Sequence, residues 1–341
     1  MIHWRQLGIA VGLILSHSSF AEDIEVMALD IISYEDFIQE DPLSMDVLRN
    51  ALLEKGIVGI RGVPGYKEKV LRFIDSARAF SALAEEVKEA YAPKEEETFL
   101  GYERGKEKFQ RPDGSWVVDD LKVSYYAFVP ENTQNKWPHE LDLQTPFQDL
   151  GGVMHQMGLA VMQTIGLLDY QGGICLDDVP RVGRMLYYKK SENTIGDNPF
   201  WCGAHYDHSL FTTLVPAFYF SDGKLIAEPI EAGLFVKSTS DGVYRKVVAN
   251  DPEVLLFQVG EFGQLVSNDA IHATEHRVHK AEGNVERYTM ALFCDAPMDT
   301  VIHSTSVLTQ DPRYGAQSGE ACSYEHWSSE TFKRFHVDKS K

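Results

Sequence analysis

The sequence predicts a mainly β protein with α: a sandwich or barrel of short strands in the C-terminal half, with a helical N-terminal half wrapped onto it. Three observations lead there. Apolar residues recur at helical spacing only before about residue 168. From about Gly183 the chain breaks into short β-rich runs punctuated by turn clusters. No internal repeat of solenoid period is visible.

The alternating segment 24–32 reads as a first strand. Pro42-Leu43-Ser44 then opens a helix, with Ser44 as N-cap, Leu48, Ala51 and Leu52 on one face, and Gly56 as its stop. Ile57-Val58-Gly59-Ile60 is a short buried strand. Val70, Phe73, Ile74 and Ala77 place a second helix over 66–80, and charged, glycine-containing sequence fills 94–115. Leu150, Val153, Met154, Met157 and Val161 stripe a third helix over 146–168, its methionines filling the core. Short strands follow at 185–188, 211–219, 233–237, 254–259, 264–267 and 288–293. Tyr125, Tyr126 and Phe128 read as packing aromatics, and Phe218-Tyr219-Phe220 as an edge hairpin or a substrate-side insertion.

The 341 residues are 44% hydrophobic and 24% charged, ordinary globular proportions that exclude a disordered or collagenous chain. Asp and Glu number 51 against 32 Lys and Arg, a formal charge of −19, which argues against nucleic acid or an anionic membrane as partner. A small anionic substrate stays open, because one well-placed arginine outweighs a diffuse field. At the N-terminus, Arg5, the apolar run from Leu7 to Leu15 and Ser19-Phe20-Ala21 form a secretory signal pattern over residues 1–21, and the apolar run itself is too short to span a bilayer. Export to the periplasm or exterior is the expectation; the alternative is initiation at Met27 and a cytoplasmic protein. Cys175, Cys202, Cys294 and Cys322 form no CxxC pair; an exported chain could join two of them, and Cys294 reads as a buried thiol.

The chemistry-bearing residues lie in the β-rich half. In a strand, His205 and Asp207 point to one face and offer an imidazole beside a carboxylate. A third ligand from a distant strand would complete a two-His-one-carboxylate face that leaves other metal positions open, the arrangement of non-haem Fe(II) oxygenases, and His276 falls 69 positions after Asp207, several strands later. Eleven residues on, Arg287 and Thr289 open a strand and can hold a carboxylate. His272 and His276, four apart, would also suit zinc on a helix face, although no HExxH accompanies them. His208 points away from Asp207 and reads as structural.

These blocks resemble the isopenicillin N synthase-like branch of the Fe(II)/2-oxoglutarate-dependent oxygenases. His205-Tyr206-Asp207-His208-Ser209-Leu210-Phe211-Thr212-Thr213-Leu214 is similar to that family's HTDHS stretch. Val259-Gly260-Glu261 through Ser267-Asn268 to His276-Arg277-Val278 resembles its second block, and Arg287-Tyr288-Thr289 through Phe293 its RYS element. The likeness extends from Met27 to Pro297. It implies a double-stranded β-helix (jelly-roll) core over 146–300 with its supporting helix, an N-terminal region at 27–145 and a C-terminal extension at 301–341. It implies Fe(II) on His205, Asp207 and His276, 2-oxoglutarate held by Arg287, Thr289 and Tyr188, and O2 as oxidant. The activity implied is oxidative decarboxylation of 2-oxoglutarate coupled to C–H oxidation of a small organic substrate. Leu186 and Lys189 depart from the family's N-Y-Y-P, Thr289 replaces Ser, and Asp269 replaces Gly in a turn where Asp tolerates the left-handed region. Three other readings stay open: an oxidase that uses O2 without 2-oxoglutarate, a zinc hydrolase on the same triad, and a non-catalytic jelly-roll binding protein.

Overall fold

The computed structural model describes residues 24–94, 99–111, 114–176, 179–190 and 198–336; the signal pattern at 1–21 lies outside them. Two sheets face each other. The smaller runs Val26–Met27, Tyr244–Val247, Gly233–Lys237, His276–His279, Phe200–His205. The larger runs Ile31–Ser33, Ile57–Arg61, Val254–Val259, Phe211–Leu214, Val285–Cys294, Arg181–Tyr188, Lys122–Val129, Gly101–Arg104. A hairpin, Phe218–Ser221 with Lys224–Ile226, adds to the edge of Val285–Cys294. This is the jelly-roll sandwich, its sheets joined by side chains such as Leu186, Trp201 and Val278.

The outer face of the larger sheet is buried under helices, which leaves its inner face for the site. Helix Gln144–Thr164 lies on it through Leu150, Met154, Met157 and Val161, all buried. The approach depends on small residues. A Cβ on Gly158 would lie 2.9 Å from Thr213 Cγ2, and one on Gly183 would lie 2.6 Å from the Phe147 ring. Helix Tyr66–Ser81 packs on that helix, with Phe73 and Phe147 edge to face at 6.0 Å. Among the described residues no helix is long and apolar enough to cross a membrane, and all four cysteines are free thiols.

Several local expectations change. The first strand is two short ones, Val26–Met27 and Ile31–Ser33. Helix Pro42–Glu54 is capped by Asp41, whose carboxylate accepts the Ser44 N–H at 3.0 Å; Pro42 is the first helical residue, so Ser44 is inside the helix rather than its cap. The long helix stops at Thr164, with Gly166 left-handed beyond it, and a 3-10 turn takes over at Leu167–Gly172. The run 211–219 is two strands, because Pro216 cannot donate to a ladder. Residues 264–267 are no strand; Gln264, Leu265 and Val266 end helix Glu261–Val266, whose complete burial hides its period, and Ser267 is its C-cap. The aromatics at 125–128 lie on a full strand, Lys122–Val129, and the charged stretch carries Gly101–Arg104 and the pair Lys108–Gln110 with Trp116–Val118.

Candidate active site

Strand pairing brings the triad together. His276 stands directly opposite His205 on neighbouring strands of the smaller sheet, the two rings 4.2 Å apart. The strand bearing His205 ends there, and Asp207 follows on the connecting loop, yet its Oδ1 lies 3.9 Å from His205 Nε2 and 4.0 Å from His276 Nε2. One ligand atom from each of the three lies within 4.8 Å of the others, a spacing that one metal ion can bridge.

The surrounding groups aim these atoms. His205 Nδ1 and His276 Nδ1 each donate to the main-chain carbonyl two residues back, Gly203 and Thr274, both at 2.9 Å. That leaves both Nε2 lone pairs for a metal. Gln258 stands 2.7 Å from His276 Nδ1, and the Thr212 hydroxyl donates to Asp207 Oδ2 at 2.7 Å, leaving Oδ1 toward the imidazoles. Burial, then the facing His205, push the His276 imidazole down to about 4, so it is neutral and able to ligate near pH 7.

The triad opens on a cleft between the two sheets. Arg287 lines it from the larger sheet, where Arg287, Tyr188 and Lys122 stand in register on three adjacent strands. The Arg287 guanidinium lies 4.9 Å from the centre of the Tyr188 ring, and its Nε donates to Tyr219 Oη, which donates in turn to Glu228 at 3.0 Å. Its Nη1 is buried and has no hydrogen-bond partner among the described residues. A buried guanidinium with a free N–H in a cleft is a socket for a carboxylate. Thr289 also lines the cleft, but its hydroxyl proton goes to the Val215 carbonyl at 2.5 Å, so the side chain offers the cleft lone pairs.

The remaining predicted residues fall outside this ring. His272 donates to the Leu53 carbonyl at 2.6 Å, and the stretch from it to His276 is not helical, which removes the helical zinc pair. His208 packs on the outside, 5.1 Å from the Phe332 ring. Leu186 is an apolar patch of the cleft wall. Asp269 is left-handed at φ 66°, as its turn requires. Sequence reasoning missed Thr212, Gln258 and Tyr219, and also a buried charge group on the cleft wall, where Glu107 binds Lys122 at 2.6 Å and Arg184 at 3.0 Å. The only sequence signal for Tyr219 was the aromatic hairpin itself.

Residues 183–296 match the family model of the 2OG-Fe(II) oxygenase superfamily, which spans every residue of the triad and Arg287. No curated protein sequence matches the chain. Solved structures share its fold over nearly the whole length. A putative 2OG-Fe(II) oxygenase family protein from Caulobacter crescentus superposes with a TM-score of 0.69 at 20% identity, covering 90% of this chain and 99% of that one. A full-length Neurospora crassa protein in complex with alpha-KG gives 0.69 at 20% identity, over 92% and 97%. The rice dioxygenase for auxin oxidation gives 0.63 at 18%, over 91% and 100%. Sequence blocks, fold and site geometry converge: residues 183–296, which carry the triad and Arg287, are similar to the 2OG-Fe(II) oxygenase superfamily, and the chain shares the fold of these solved structures.

Proposed function

We propose that the chain couples oxidative decarboxylation of 2-oxoglutarate to oxidation of a C–H bond in a small organic substrate. His205, Asp207 and His276 would hold the iron, and Arg287 the distal carboxylate of the cosubstrate. The observation that carries this reading is the free, buried Nη1 of Arg287 in the cleft that the triad opens on. When bound, the iron and 2-oxoglutarate supply the activation of O2. The chain's own residues hold and orient. The Gly203 and Thr274 carbonyls lock the imidazole tautomers, Thr212 turns Asp207, and Tyr188 and Tyr219 fix the plane of the Arg287 guanidinium. Thr289 ties the Arg287 strand to Val215 and lines the cleft where the cosubstrate would be held. The same cleft is walled by Leu186 and by the paired charges of Lys122 and Arg184, against which a substrate would lie. A small substrate suits that space, and structures of the Neurospora crassa protein hold thymine or 5-formyluracil.

The test is anaerobic loading with Fe(II) and 2-oxoglutarate, then admission of O2 and measurement of succinate. Succinate formation in the wild type is expected. Arg287→Gln should raise the KM for 2-oxoglutarate about 30-fold or more, as expected for losing a buried charge-assisted pair worth roughly 2 kcal/mol or more. Substrate oxidation without succinate would replace this reading with the oxidase that needs no cosubstrate.

A further inference from the structure

Asp207 stands on a short connection, residues 206–210, between strands Phe200–His205 and Phe211–Leu214. Such a connection keeps a ligand in place only through what grips it. On its outer side it is gripped by helix Glu261–Val266. The Glu261 N–H donates to the Asp207 carbonyl at 2.8 Å, the Phe262 N–H to Ser209 at 3.1 Å and the Gly260 N–H to Leu210 at 3.2 Å. Amides at a helix start have no acceptor in their own helix, so the ligand connection takes them. No side chain fits between: a Cβ on Gly260 would lie 2.1 Å from the Ser209 oxygen, and one on Gly263 would lie 2.2 Å from that of Leu210.

The helix is held in turn by the C-terminal segment 301–335. Arg313 grips both oxygens of the Glu261 carboxylate, at 2.7 and 2.6 Å, with both side chains buried. Its guanidinium lies 4.3 Å from the Trp327 ring centre and also binds the Thr331 hydroxyl and Asp311, which Arg334 holds as well. Helix Tyr324–Phe335 also reaches the ligand connection directly, through Phe332 against His208 and the Ser328 hydroxyl 3.5 Å from His208 Nε2. A second seam joins the same parts: Asp269 accepts from the Ser306 hydroxyl at 2.6 Å and the Val307 N–H at 2.9 Å, and Asn268 from the Thr305 N–H at 2.7 Å. A buried ion pair is weak evidence of a stabilising role, because desolvation offsets the attraction. Here one residue, Glu261, gives its amide to Asp207 and its carboxylate to Arg313.

We propose that the C-terminal segment is a brace for the metal centre, and that Arg313, acting through Glu261, is a positioning residue for Asp207. The inference rests on the metal role given to Asp207 above. Its test is anaerobic titration of the metal-free full chain with Fe(II) by calorimetry and with Co(II) by visible absorption, beside thermal melting. Arg313→Met should weaken both ions about ten- to hundredfold, the range found when groups behind metal ligands are removed, and should alter the Co(II) bands at temperatures where the variant is folded. Arg313→Lys, keeping one contact of two, should fall between. Phe332→Ala, at a side chain 41% exposed, should fold normally and weaken binding by a smaller factor. If Arg313→Met fails to fold because Glu261 is left unpaired, the Glu261→Gln/Arg313→Met pair removes both charges and carries the same expectation. A folded variant that melts earlier while its metal affinity and Co(II) spectrum match the wild type overturns the brace. A wild-type chain that takes up neither ion overturns the proposed function, and the brace with it.

Discussion

A carboxylate that serves a metal with one oxygen must dispose of the other, and the Thr212 hydroxyl does so by donating to Asp207 Oδ2. Thr212→Val keeps the shape and β-branching that the Phe211–Leu214 strand favours and removes only the donor. We expect about tenfold weaker Co(II) binding with a melting temperature close to wild type; unchanged affinity would show that the hydroxyl does not orient the ligand. Thr212 also marks where reading residues from the chain stops. His205, Asp207, His276 and Arg287 were legible because each sits in a local block whose residue types the chemistry demands. Thr212 lies in the same block as Asp207, five positions on, but nothing in its residue type says where its hydroxyl points; Gln258 and Tyr219 reach the site through strands far apart in sequence, such as Tyr219 opposite Arg287, and no local pattern announces such a register. The Thr289 hydroxyl shows the same limit: the residue was legible, but the direction of its proton depends on Val215, 74 positions away.

At the scale of elements, amphipathic helices and half-buried strands were legible, while segments buried on every side were not. Helix Glu261–Val266 buries Glu261 and Gln264 together with its apolar residues and so shows no helical alternation of polar and apolar, and strand Lys122–Val129 hides for the same reason, in the interior of the larger sheet. The strand His276–His279 carries a consequence of such burial. His279 stacks on Phe235 with ring centres 3.9 Å apart, and its buried Nε2 has no hydrogen-bond partner among the described residues. Burial, then the nearby charges of Arg277 and Lys246, push its imidazole down to about 3. The folded protein therefore keeps His279 neutral, whereas the unfolded chain binds a proton near pH 6.5. Between those values the unfolded state takes up the extra proton, so this group's contribution to stability is present above pH 6.5 and is lost progressively as pH falls toward 3. Denaturant melts from pH 7 to 4 should show His279→Phe losing less stability than the wild type. Parallel losses in the two proteins would mean that His279 does not contribute to the acid limb.

At the scale of the whole molecule, the −19 charge and the candidate site point in opposite directions. The acidity belongs to the surface and disfavours nucleic acid, whereas in the cleft Arg287 stands beside a triad with a single carboxylate, the charges of Lys122 and Arg184 being met by Glu107 and Asp119, and that local field admits a dianionic keto acid. The start of the fold bears on the signal pattern. Val26 pairs with Lys246 in the smaller sheet, the Lys246 N–H donates to the Glu25 carbonyl at 2.9 Å, and the Glu25 carboxylate holds Arg245 at 2.8 Å. Cleavage after Ala21 would leave all three contacts intact. Initiation at Met27 would delete Glu25 and Val26, leave Arg245 with Asp241 alone as charge partner, and leave the edge of the sheet that carries His205 and His276 one residue short. These contacts count against initiation at Met27, and on the signal pattern we propose export with removal of residues 1–21. Mass spectrometry of the native protein should find Glu22 at its N-terminus, and a chain that begins at Met1 or Met27 would refute it.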